Sequence, residues 1–283
     1  MEEEGLPGSI GVVGVGTIGS ALIRGLLSPG PGAPAKLPRV VLSPRGALKA
    51  EALAEAFPGN VVIAKSNQEV VDEVECVIVA VLFKQVNEVF GALKFRKEQK
   101  VMTLTAGLMP TRLKELCAPA TTCVSAIPLP PVAKRSGATL LTPRLPWAEA
   151  MLKVCGSCVV VETEAEFKRL LVVTCMMGDF YKRQLTAQQW LCSHGISEAD
   201  AASWVSSTFA TFAADSSGAQ VDTFQKLVEE QTPGGLNEMV WRAQEEDGSY
   251  KSLCYSLDAV HHRLVSGAAD PALAPAAKRA KLA

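Results

Sequence analysis

Short apolar runs rich in β-branched residues alternate with helical stretches along the first 162 residues of the chain. This alternation is typical of a parallel β-sheet flanked by helices. The predicted strands are Ser9–Val13, Arg39–Leu42, Val61–Ala64, Cys76–Val81, Val101–Thr105, Thr122–Ile127, Ala138–Leu141 and Cys158–Val161. We therefore predict an α/β domain over residues 1–163.

After Thr163 this alternation stops, and the chain reads as a series of helices. The predicted helices cover residues 164–193, 197–217, 219–231, 236–246 and 249–265. They form a predicted all-α C-terminal domain over residues 164–266. They carry more apolar surface than a single layer of helices can bury, for example at Trp204 and Phe212, so we expect this domain to form a homodimer.

The last stretch, residues 267–283, is rich in alanine and proline, and we predict a disordered tail because nothing in it could bury a core. Its cationic residues are Lys278, Arg279 and Lys281. Such a cluster is similar to a short nuclear-localisation signal. The alternative interpretation is a solvated tail whose charges have no such role.

The charge pattern narrows the classes of partner. The 28 basic and 29 acidic residues are well mixed and give a net charge of −1, so we expect no nucleic-acid partner. The apolar runs are interrupted well before the roughly 20 residues that a membrane span needs. The first residues lack the cationic flank of a secretion signal, and we expect a cytoplasmic enzyme that acts on small metabolites.

The eight cysteines and three histidines offer no pattern of metal ligands. One C-x-x-C pair is present, formed by Cys155 and Cys158, but no second pair with ligand spacing follows it. Free cysteine is among the most frequently buried residue types, so we expect buried structural thiols. No metal site is predicted.

A glycine-rich segment joins the first predicted strand to the first predicted helix. Its sequence is Gly14-Val15-Gly16-Thr17-Ile18-Gly19, a G-x-G-x-x-G. The first glycine permits a tight turn, the second lets a pyrophosphate approach the backbone, and the third lets helix and strand pack closely. The helix N-terminus attracts the phosphate charge. We therefore predict a Rossmann-type domain that binds a dinucleotide.

The end of the second predicted strand indicates which dinucleotide is bound. An NAD site commonly offers a carboxylate to the ribose here, whereas this chain has Leu42-Ser43-Pro44-Arg45-Gly46. The Ser43 hydroxyl and the Arg45 guanidinium can hold a 2′-phosphate by charge-assisted hydrogen bonds. NADPH is therefore the predicted cofactor, with NADH as the alternative if Arg45 is only an exposed residue of a turn.

Several motifs together resemble the pyrroline-5-carboxylate reductase family over about residues 9–265. They are Gly11–Gly25, Val79-Ala80-Val81, Thr105-Ala106-Gly107, Ser136-Gly137-Ala138-Thr139 and the Pro-Gly-Gly turn, Thr232-Pro233-Gly234-Gly235. The resemblance implies an N-terminal Rossmann domain that carries NADPH and a C-terminal helical domain that forms an interlocked dimer.

The resemblance also implies roles for individual residues on the cofactor side. Gly14, Gly16, Thr17, Ile18 and Gly19 would hold the pyrophosphate, and Ser43 with Arg45 the adenosine phosphate. Asn67 would lie at the adenosine ribose. The remaining cofactor contacts, at the ribose and nicotinamide, would come from Ala80, Val81, Ala106 and Gly107.

The substrate side departs from the family pattern. Val81-Leu82-Phe83 stands where the family usually has Val-Lys-Pro. Leu129, which the resemblance implies as a substrate contact, replaces an asparagine near the cofactor. The segment Cys175–Tyr181 replaces Ser-Gly-Ser-Gly-Pro-Ala-Tyr. Asn237 replaces the hydroxyl residue that faces the imine nitrogen. Each change removes a small polar group or alters its chemistry.

The Pro-Gly-Gly turn interrupts a helical region, and the following helix restarts with exposed backbone N–H groups. We predict that the N–H groups of Gly234, Gly235 and Leu236 bind a substrate carboxylate, because a helix N-terminus favours negative charge. A plain helix–helix corner is the alternative. Asn237 is a candidate hydrogen-bond donor to the substrate, and Thr232 and Tyr181 are candidates for orienting a water molecule.

These features predict an NADPH-dependent reductase of a small cyclic imine, with 1-pyrroline-5-carboxylate reduced to L-proline as the leading substrate pair. The changes at Leu82, Leu129 and Asn237 leave a second hypothesis, a reductase of another imine or carbonyl compound. A third hypothesis is a non-catalytic NADPH-binding interaction protein.

Overall fold

The computed structural model of the chain describes residues 5–30 and 33–267. The chain divides into two compact units between Leu171 and Val172. Gly267, the first residue of the predicted tail, is described and caps the last helix. The rest of the tail lies outside the described residues, including its cationic residues Lys278, Arg279 and Lys281. None of the helices among the described residues has the length and apolar character needed to cross a membrane.

The first unit is built on an eight-stranded sheet, and each strand coincides with a predicted one to within two residues. The strands are β1 (Ser9–Val13), β2 (Arg39–Leu42), β3 (Val61–Ile63), β4 (Cys76–Val79), β5 (Lys100–Thr103), β6 (Thr122–Pro128), β7 (Gly137–Thr142) and β8 (Gly156–Val160). Their order in the sheet is β3-β2-β1-β4-β5-β6-β7-β8. The predicted Rossmann-type α/β class is confirmed.

The strand order places a crevice at the middle of the sheet. From β1 the chain moves outward through β2 to β3 and then returns to pair β4 with the other side of β1, all in parallel. The strand order therefore reverses between β1 and β4. Ligands of open α/β sheets bind beyond the carboxyl ends of the strands at such a point.

One strand pair departs from the predicted parallel sheet. Strands β6 and β7 are antiparallel, with Ser125 opposite Thr142. The connecting segment 129–136 contains only a short 3₁₀-helix, Pro130–Lys134. A parallel crossover needs about a dozen residues or more, so this segment is too short for one.

Helices cover both faces of this sheet and bury two apolar layers. They are α1 (Thr17–Leu27), α2 (Ala47–Ala56), α3 (Asn67–Asp72), α4 (Val86–Gly91), α5 (Pro110–Leu116) and α6 (Pro146–Lys153). Along β1, Ile10 and Val12 belong to the layer that contains Leu22 of α1, while Val13 belongs to the layer that contains Val70 of α3. Alternate side chains of a strand point to opposite faces, which explains the division.

The remaining described chain is helical, as predicted. Its helices are α7 (Glu164–Thr174), α8 (Met177–Ser193), α9 (Glu198–Asp215), α10 (Thr223–Glu229), α11 (Leu236–Glu246) and α12 (Ser249–Ser266). The single helix predicted over residues 164–193 is wrong, because Cys175 and Met176 form a turn between α7 and α8. Neither glycine nor proline marks this turn, so the sequence pattern continues through it.

Helix α7 spans the division between the two units. Its first residue accepts a hydrogen bond from the first unit, since the Thr111 backbone N–H donates to Glu164 Oε1 at 2.7 Å. The division between the two units follows Leu171, eight residues after the predicted domain boundary at residue 163.

The second unit buries few side chains. Helices α8, α10, α11 and α12 contain no buried residue. Among described residues from 172 onward, only Val172, Ala201 and Val205 are buried. Large apolar side chains such as Trp204 and Phe212 are instead exposed. A compact unit with so little core has apolar surface left to cover.

Candidate functional site

A cavity of about 640 Å³ lies at the carboxyl ends of β1 and β4, at the crevice of the sheet. It is formed within the first unit. The lining includes ten of the twelve predicted cofactor residues, namely Gly14, Gly16, Thr17, Ile18, Gly19, Arg45, Asn67, Ala80, Val81 and Ala106. The structure thus brings together residues that are spread over nearly a hundred positions of sequence.

Two glycines of the G-x-G-x-x-G segment leave no room for a side chain, because backbone atoms lie close to them. Gly14 has φ +94°, and a Cβ atom there would lie 2.5 Å from the carbonyl oxygen of Ala80. A Cβ on Gly19 would lie 2.9 Å from the carbonyl oxygen of Gly14. Any side chain at these positions would push the turn away from the end of β4 or from α1.

Gly16 differs from these two glycines. Its backbone is extended, with φ −85°, and a Cβ atom built on it would meet no other atom within 4 Å. Gly16 is the N-cap of α1 and provides no side-chain cap. The first residues of α1, Thr17, Ile18 and Gly19, line the cavity, and a helix N-terminus at a cavity is the arrangement that binds a phosphate group.

Two cationic side chains follow β2 beside this turn. Arg45 lines the cavity, and Lys49 donates a hydrogen bond from Nζ to Thr17 Oγ1 at 2.8 Å. Gly46, with φ +85°, makes the tight entry into α2, and a Cβ atom on it would lie 2.6 Å from the carbonyl oxygen of Val15. No sequence pattern singled out Lys49, because Arg45 precedes the helix N-cap at Gly46 and the two residues therefore share no helical periodicity.

The structure gives Ser43 a different place from the predicted one. The side chain is fully buried, and Oγ accepts a hydrogen bond from the Gly14 backbone N–H at 3.0 Å. Ser43 therefore fixes the glycine turn from within the protein. The hydroxyl was predicted to contact an adenosine phosphate, but in this position it already holds a backbone group.

The residues that follow β4 and β5 also line the cavity. Thr105 donates a hydrogen bond from Oγ1 to the carbonyl oxygen of Val81 at 2.8 Å and lines the cavity beside Ala106. Gly107, a predicted cofactor contact, instead lines a smaller cavity of about 200 Å³ next to Phe83. Its φ of +88° turns the backbone at this point.

Apolar side chains stand at the mouth of the cavity. Leu82 is 63% exposed and Phe83 62%, and both contribute to the lining. Gln85 fixes this segment, because its Oε1 accepts a hydrogen bond from the Leu82 backbone N–H at 3.2 Å. Exposed apolar groups of this size beside a cavity are typical of a surface that contacts an apolar ligand or another protein.

The Pro-Gly-Gly turn of the second unit is not the open set of N–H groups predicted from the sequence. The Gly234 N–H donates to Glu238 Oε2 at 2.5 Å, and the Gly235 N–H donates to the carbonyl oxygen of Thr232 at 2.8 Å. Two of the three predicted donors therefore already have partners in the chain. The physical reason is that a glutamate near the start of a helix reaches back to cap it.

Glu238 is held at both carboxylate oxygens. Arg242, one turn further along α11, donates to Oε1 from Nε at 2.8 Å and from Nη2 at 2.6 Å. The Glu238 side chain is only 16% exposed. The Gly234 N–H, followed by Arg242, lowers the pKa of the Glu238 carboxyl below its ordinary value. The Glu238 carboxylate is therefore ionised at neutral pH and forms an ion pair with Arg242.

The three candidate catalytic residues lie in two places within the second unit. Thr232 begins the turn and Asn237 follows it, and Asn237 Nδ2 donates to Gln231 Oε1 at 2.8 Å. Tyr181 lies on α8 with its ring 5.7 Å from that of Phe180. Leu129, a predicted substrate contact, belongs to the first unit, where its backbone N–H donates to the carbonyl oxygen of Ala138.

The C-x-x-C pair consists of thiols in the sheet region of the first unit. Cys155 is buried and its thiol points to the carbonyl oxygen of Leu22, while Cys158 is partly buried. Burial raises the pKa of Cys155 to about 12 and that of Cys158 to about 11. Over the described ranges, no group of three His, Cys, Asp or Glu side chains is arranged to hold a metal ion.

Residues 9–107, from β1 to just past β5, match the sequence model of the family described as NADP oxidoreductase coenzyme F420-dependent. Among curated protein sequences, none matches this chain. The structure is similar to a 1-pyrroline-5-carboxylate reductase from Streptococcus pyogenes, with a TM-score of 0.76 and 19% identity, over 91% of this chain and 98% of that one. The chain has the fold of the pyrroline-5-carboxylate reductases.

Two further solved structures extend this likeness. A pyrroline carboxylate reductase from Plasmodium falciparum, with NADP bound, has a TM-score of 0.73 and 14% identity, over 90% of this chain and 96% of that one. An imine reductase from a Pseudomonas species has a TM-score of 0.58 and 17% identity, over 93% and 95%. The resemblance drawn from the sequence motifs is confirmed at the level of the fold.

Proposed function

We propose that the first unit binds NADPH in the 640 Å³ cavity. The observation that carries this proposal is the open space at Gly16, beside two residues, Gly14 and Gly19, whose lack of a side chain is required by the turn. The pyrophosphate would bind the first N–H groups of α1. The 2′-phosphate would bind Arg45, with Lys49 of α2 as a second cation.

We propose further that the protein reduces a C=N bond. NADPH would supply the hydride. The support for this reaction class is the fold, which is shared with proteins named as pyrroline-5-carboxylate reductases and an imine reductase. The apolar pair Leu82 and Phe83 at the mouth of the cavity would keep water away from the bound nicotinamide.

Reduction of an imine also needs a proton for the nitrogen. Asn237 can orient a substrate by a hydrogen bond but cannot release a proton near neutral pH. Tyr181 and Thr232 carry hydroxyl groups that can orient a water molecule, and both are exposed. We propose these three residues as the group that positions the substrate and its proton source.

The substrate pair suggested by the sequence motifs is 1-pyrroline-5-carboxylate and L-proline. A different imine or a carbonyl compound is the second candidate, and it is favoured by the apolar side chains of Leu82 and Leu129, which stand where the motifs of that family have polar or small residues.

We propose that the protein is a homodimer through its helical unit. The support is physical: four of the helices bury no residue, and Trp204 and Phe212 expose large apolar side chains. A second copy of the chain offers an identical apolar surface, and the two-fold dimer is the commonest arrangement of identical subunits.

The proposed function is tested in two stages. Fluorescence titration with NADPH and NADH first measures cofactor binding, which we expect to be tighter for NADPH. The absorbance of NADPH at 340 nm is then followed with 1-pyrroline-5-carboxylate, 1-pyrroline and their six-membered analogues. Oxidation of NADPH by at least one imine is the expected outcome. Binding of NADPH without oxidation by any of them would favour a non-catalytic NADPH-binding interaction protein instead.

A further inference from the structure

We propose that Cys117 and Cys123 are a dithiol pair that a small hydroperoxide oxidises to a disulfide. The pair lies in the first unit, and neither thiol has a part in the proposed binding of NADPH or in imine reduction. No sequence motif singles it out, because five residues separate the two cysteines, whereas the C-x-x-C motif belongs to Cys155 and Cys158.

The sulfur atoms of this pair are in contact. Cys117 Sγ and Cys123 Sγ are 3.1 Å apart, and both residues are free thiols. The sulfurs of a disulfide lie about 2.05 Å apart, so closing the bond requires a movement of about 1 Å in total. A movement of this size needs only a small rotation of the two side chains.

The backbone holds both cysteines in place. Cys117 is the C-cap of α5, and its N–H donates to the carbonyl oxygen of Leu113 at 3.0 Å. Cys123 is the second residue of β6 and lies beside Val101 of β5. Both side chains are buried in the apolar layer that contains Val101. The fold has therefore already brought the two thiols together, and the disulfide closes without further loss of chain entropy.

The C-x-x-C pair lacks this arrangement. The Cys155 sulfur lies 3.7 Å from the carbonyl oxygen of Leu22, and Cys158 is partly buried in the edge strand β8. Burial raises the pKa of Cys155 to about 12 and that of Cys158 to about 11, which lowers the fraction of reactive thiolate. The structure therefore favours oxidation of the pair without a motif over the pair with one.

Within the reactive pair, Cys123 is the nucleophile. The hydrogen bond donated by the Cys117 thiol lowers the pKa of Cys123, while burial opposes this effect and the charge of Lys114 supports it. The same hydrogen bond raises the pKa of Cys117. A peroxide reacts with the thiolate form, so oxidation starts at Cys123.

The reaction balances with the hydroperoxide as the oxidant. The Cys123 thiolate attacks one oxygen of the hydroperoxide, the O–O bond breaks, and a sulfenic acid forms while water or an alcohol leaves. The Cys117 sulfur then attacks the Cys123 sulfur, the S–O bond breaks, and water leaves. With hydrogen peroxide, the two thiols lose two electrons and two protons, and the peroxide is reduced to two molecules of water.

A thin cover separates the pair from solvent. Both cysteines are buried, but Ala118, Pro119 and Thr121 of the connecting loop are exposed. This loop precedes the amino end of β6, at the edge of the sheet opposite to the 640 Å³ cavity. A small hydroperoxide reaches the sulfurs through a local opening of the loop.

The test uses the full chain, first reduced and then treated with hydrogen peroxide at neutral pH. N-ethylmaleimide blocks the remaining thiols in denaturant, and trypsin cleaves the chain without a reductant. Residues 115–134 form one tryptic peptide, whose cysteines are Cys117 and Cys123, and residues 154–168 form another, whose cysteines are Cys155 and Cys158. The second peptide is therefore an internal control in the same molecule.

Mass spectrometry should show peptide 115–134 about 2 Da lighter and without N-ethylmaleimide, at a rate about tenfold or more above that of peptide 154–168. Dithiothreitol should restore both thiols. In urea that unfolds the chain the selectivity should disappear, because the fold and not the local sequence brings the sulfurs together. Equal rates in the folded protein, or the same selectivity in urea, would overturn the inference and leave the proposed function intact.

The variant Cys117→Ser tests the order of the two steps. A serine hydroxyl keeps a donor beside Cys123 but cannot form a disulfide. Oxidation should therefore stop at the sulfenic acid of Cys123, which dimedone labels. Cys155→Ser is the matched control, in which peptide 115–134 should close as in the wild type. A label absent from Cys123 would overturn its role as the nucleophile, and the wild-type peptide, which needs no substitution, decides whether the pair closes.

Discussion

The Ser43 hydroxyl accepts a hydrogen bond from the Gly14 backbone N–H, and this contact joins the end of β2 to the turn after β1. The donor would otherwise have no partner from the turn itself, since Gly14 has φ +94° and leaves the strand at this point. A buried hydroxyl thus sets the position of the backbone that forms the floor of the cavity.

Ser43→Ala should therefore weaken both the fold and the cofactor site. Losing this hydrogen bond to the part-buried Gly14 N–H should cost about 0.5–1.5 kcal/mol of the free energy of unfolding, measured by urea denaturation. The control is Ser125→Ala, because Ser125 is also buried but donates to the carbonyl oxygen of Leu108. Both variants should lose stability, but only Ser43→Ala should raise the Kd for NADPH. Equal Kd values would contradict a role of Ser43 in the turn.

Substitution of Gly16 should weaken NADPH binding and leave protein stability nearly unchanged, whereas substitution of Gly14 should lower protein stability. Gly16→Ala adds a Cβ atom in open space at a normal φ, so the melting temperature without ligand should stay within a few degrees of the wild type, while NADPH binding weakens by about tenfold or more. Gly14→Ala should destabilise the protein itself by about 1–2 kcal/mol or more, because its φ is positive. Thermal unfolding and NADPH titration of both variants check this.

Arg45 and Lys49 should determine the preference for NADPH over NADH. Neutralising either residue as Arg45→Gln or Lys49→Gln should weaken NADPH binding by about 10- to 100-fold, the usual effect of losing a hydrogen bond to a charged group. NADH lacks the 2′-phosphate, so its Kd should not change. Lys97→Gln, at an exposed position of the same unit, is the control. Equal losses for both cofactors would place the cations elsewhere than at the 2′-phosphate.

The buried thiol of Cys155 should make the protein less stable in alkali. Burial raises its pKa to about 12 from an ordinary value of 9.0. Between about pH 9 and pH 12 the folded state therefore holds a proton that the unfolded state has released, so the free energy of unfolding falls as the pH rises through this range. Cys155→Ala should show a shallower fall in denaturation experiments from pH 8 to pH 11. An unchanged slope would exclude this thiol as a cause.

The proposed dimer predicts a single species of twice the chain mass in light scattering at micromolar concentration. Trp204→Glu should shift this species toward the monomer, because it places a charge in the exposed apolar surface of α9. Ser206→Glu, at an exposed polar position of the same helix, should leave the mass unchanged. A wild-type monomer at these concentrations would contradict the proposal.

The sequence was most informative where a local residue pattern has a single structural explanation. Short β-branched runs gave all eight strands, and the G-x-G-x-x-G in its strand–helix context located the cavity. The turn at Cys175 and Met176 was missed because it contains no helix-breaking residue. The antiparallel β7 was missed because the length of the connecting segment, and not the strand pattern, decides direction.

The hydrogen bonds between side chains and backbone groups could not be predicted from the sequence. The Pro-Gly-Gly turn suggested free N–H groups, but the Gly234 N–H is bound by Glu238 and the Gly235 N–H by the carbonyl oxygen of Thr232. Glu238 lies three residues beyond Gly235. A glutamate at this spacing after a helix start is a known capping signal, although here glycine occupies the position where serine or threonine is usual. Ser43 was expected to contact a ligand because its burial cannot be read from a strand end.

The sparse burial of the second unit has a consequence for how the protein unfolds. A set of helices that gains most of its apolar cover from a second chain is stabilised by mass action, so its melting temperature rises with protein concentration. The first unit has two apolar layers of its own and needs no such help. On dilution of the proposed dimer the helical half should therefore melt first, while the α/β half keeps its structure.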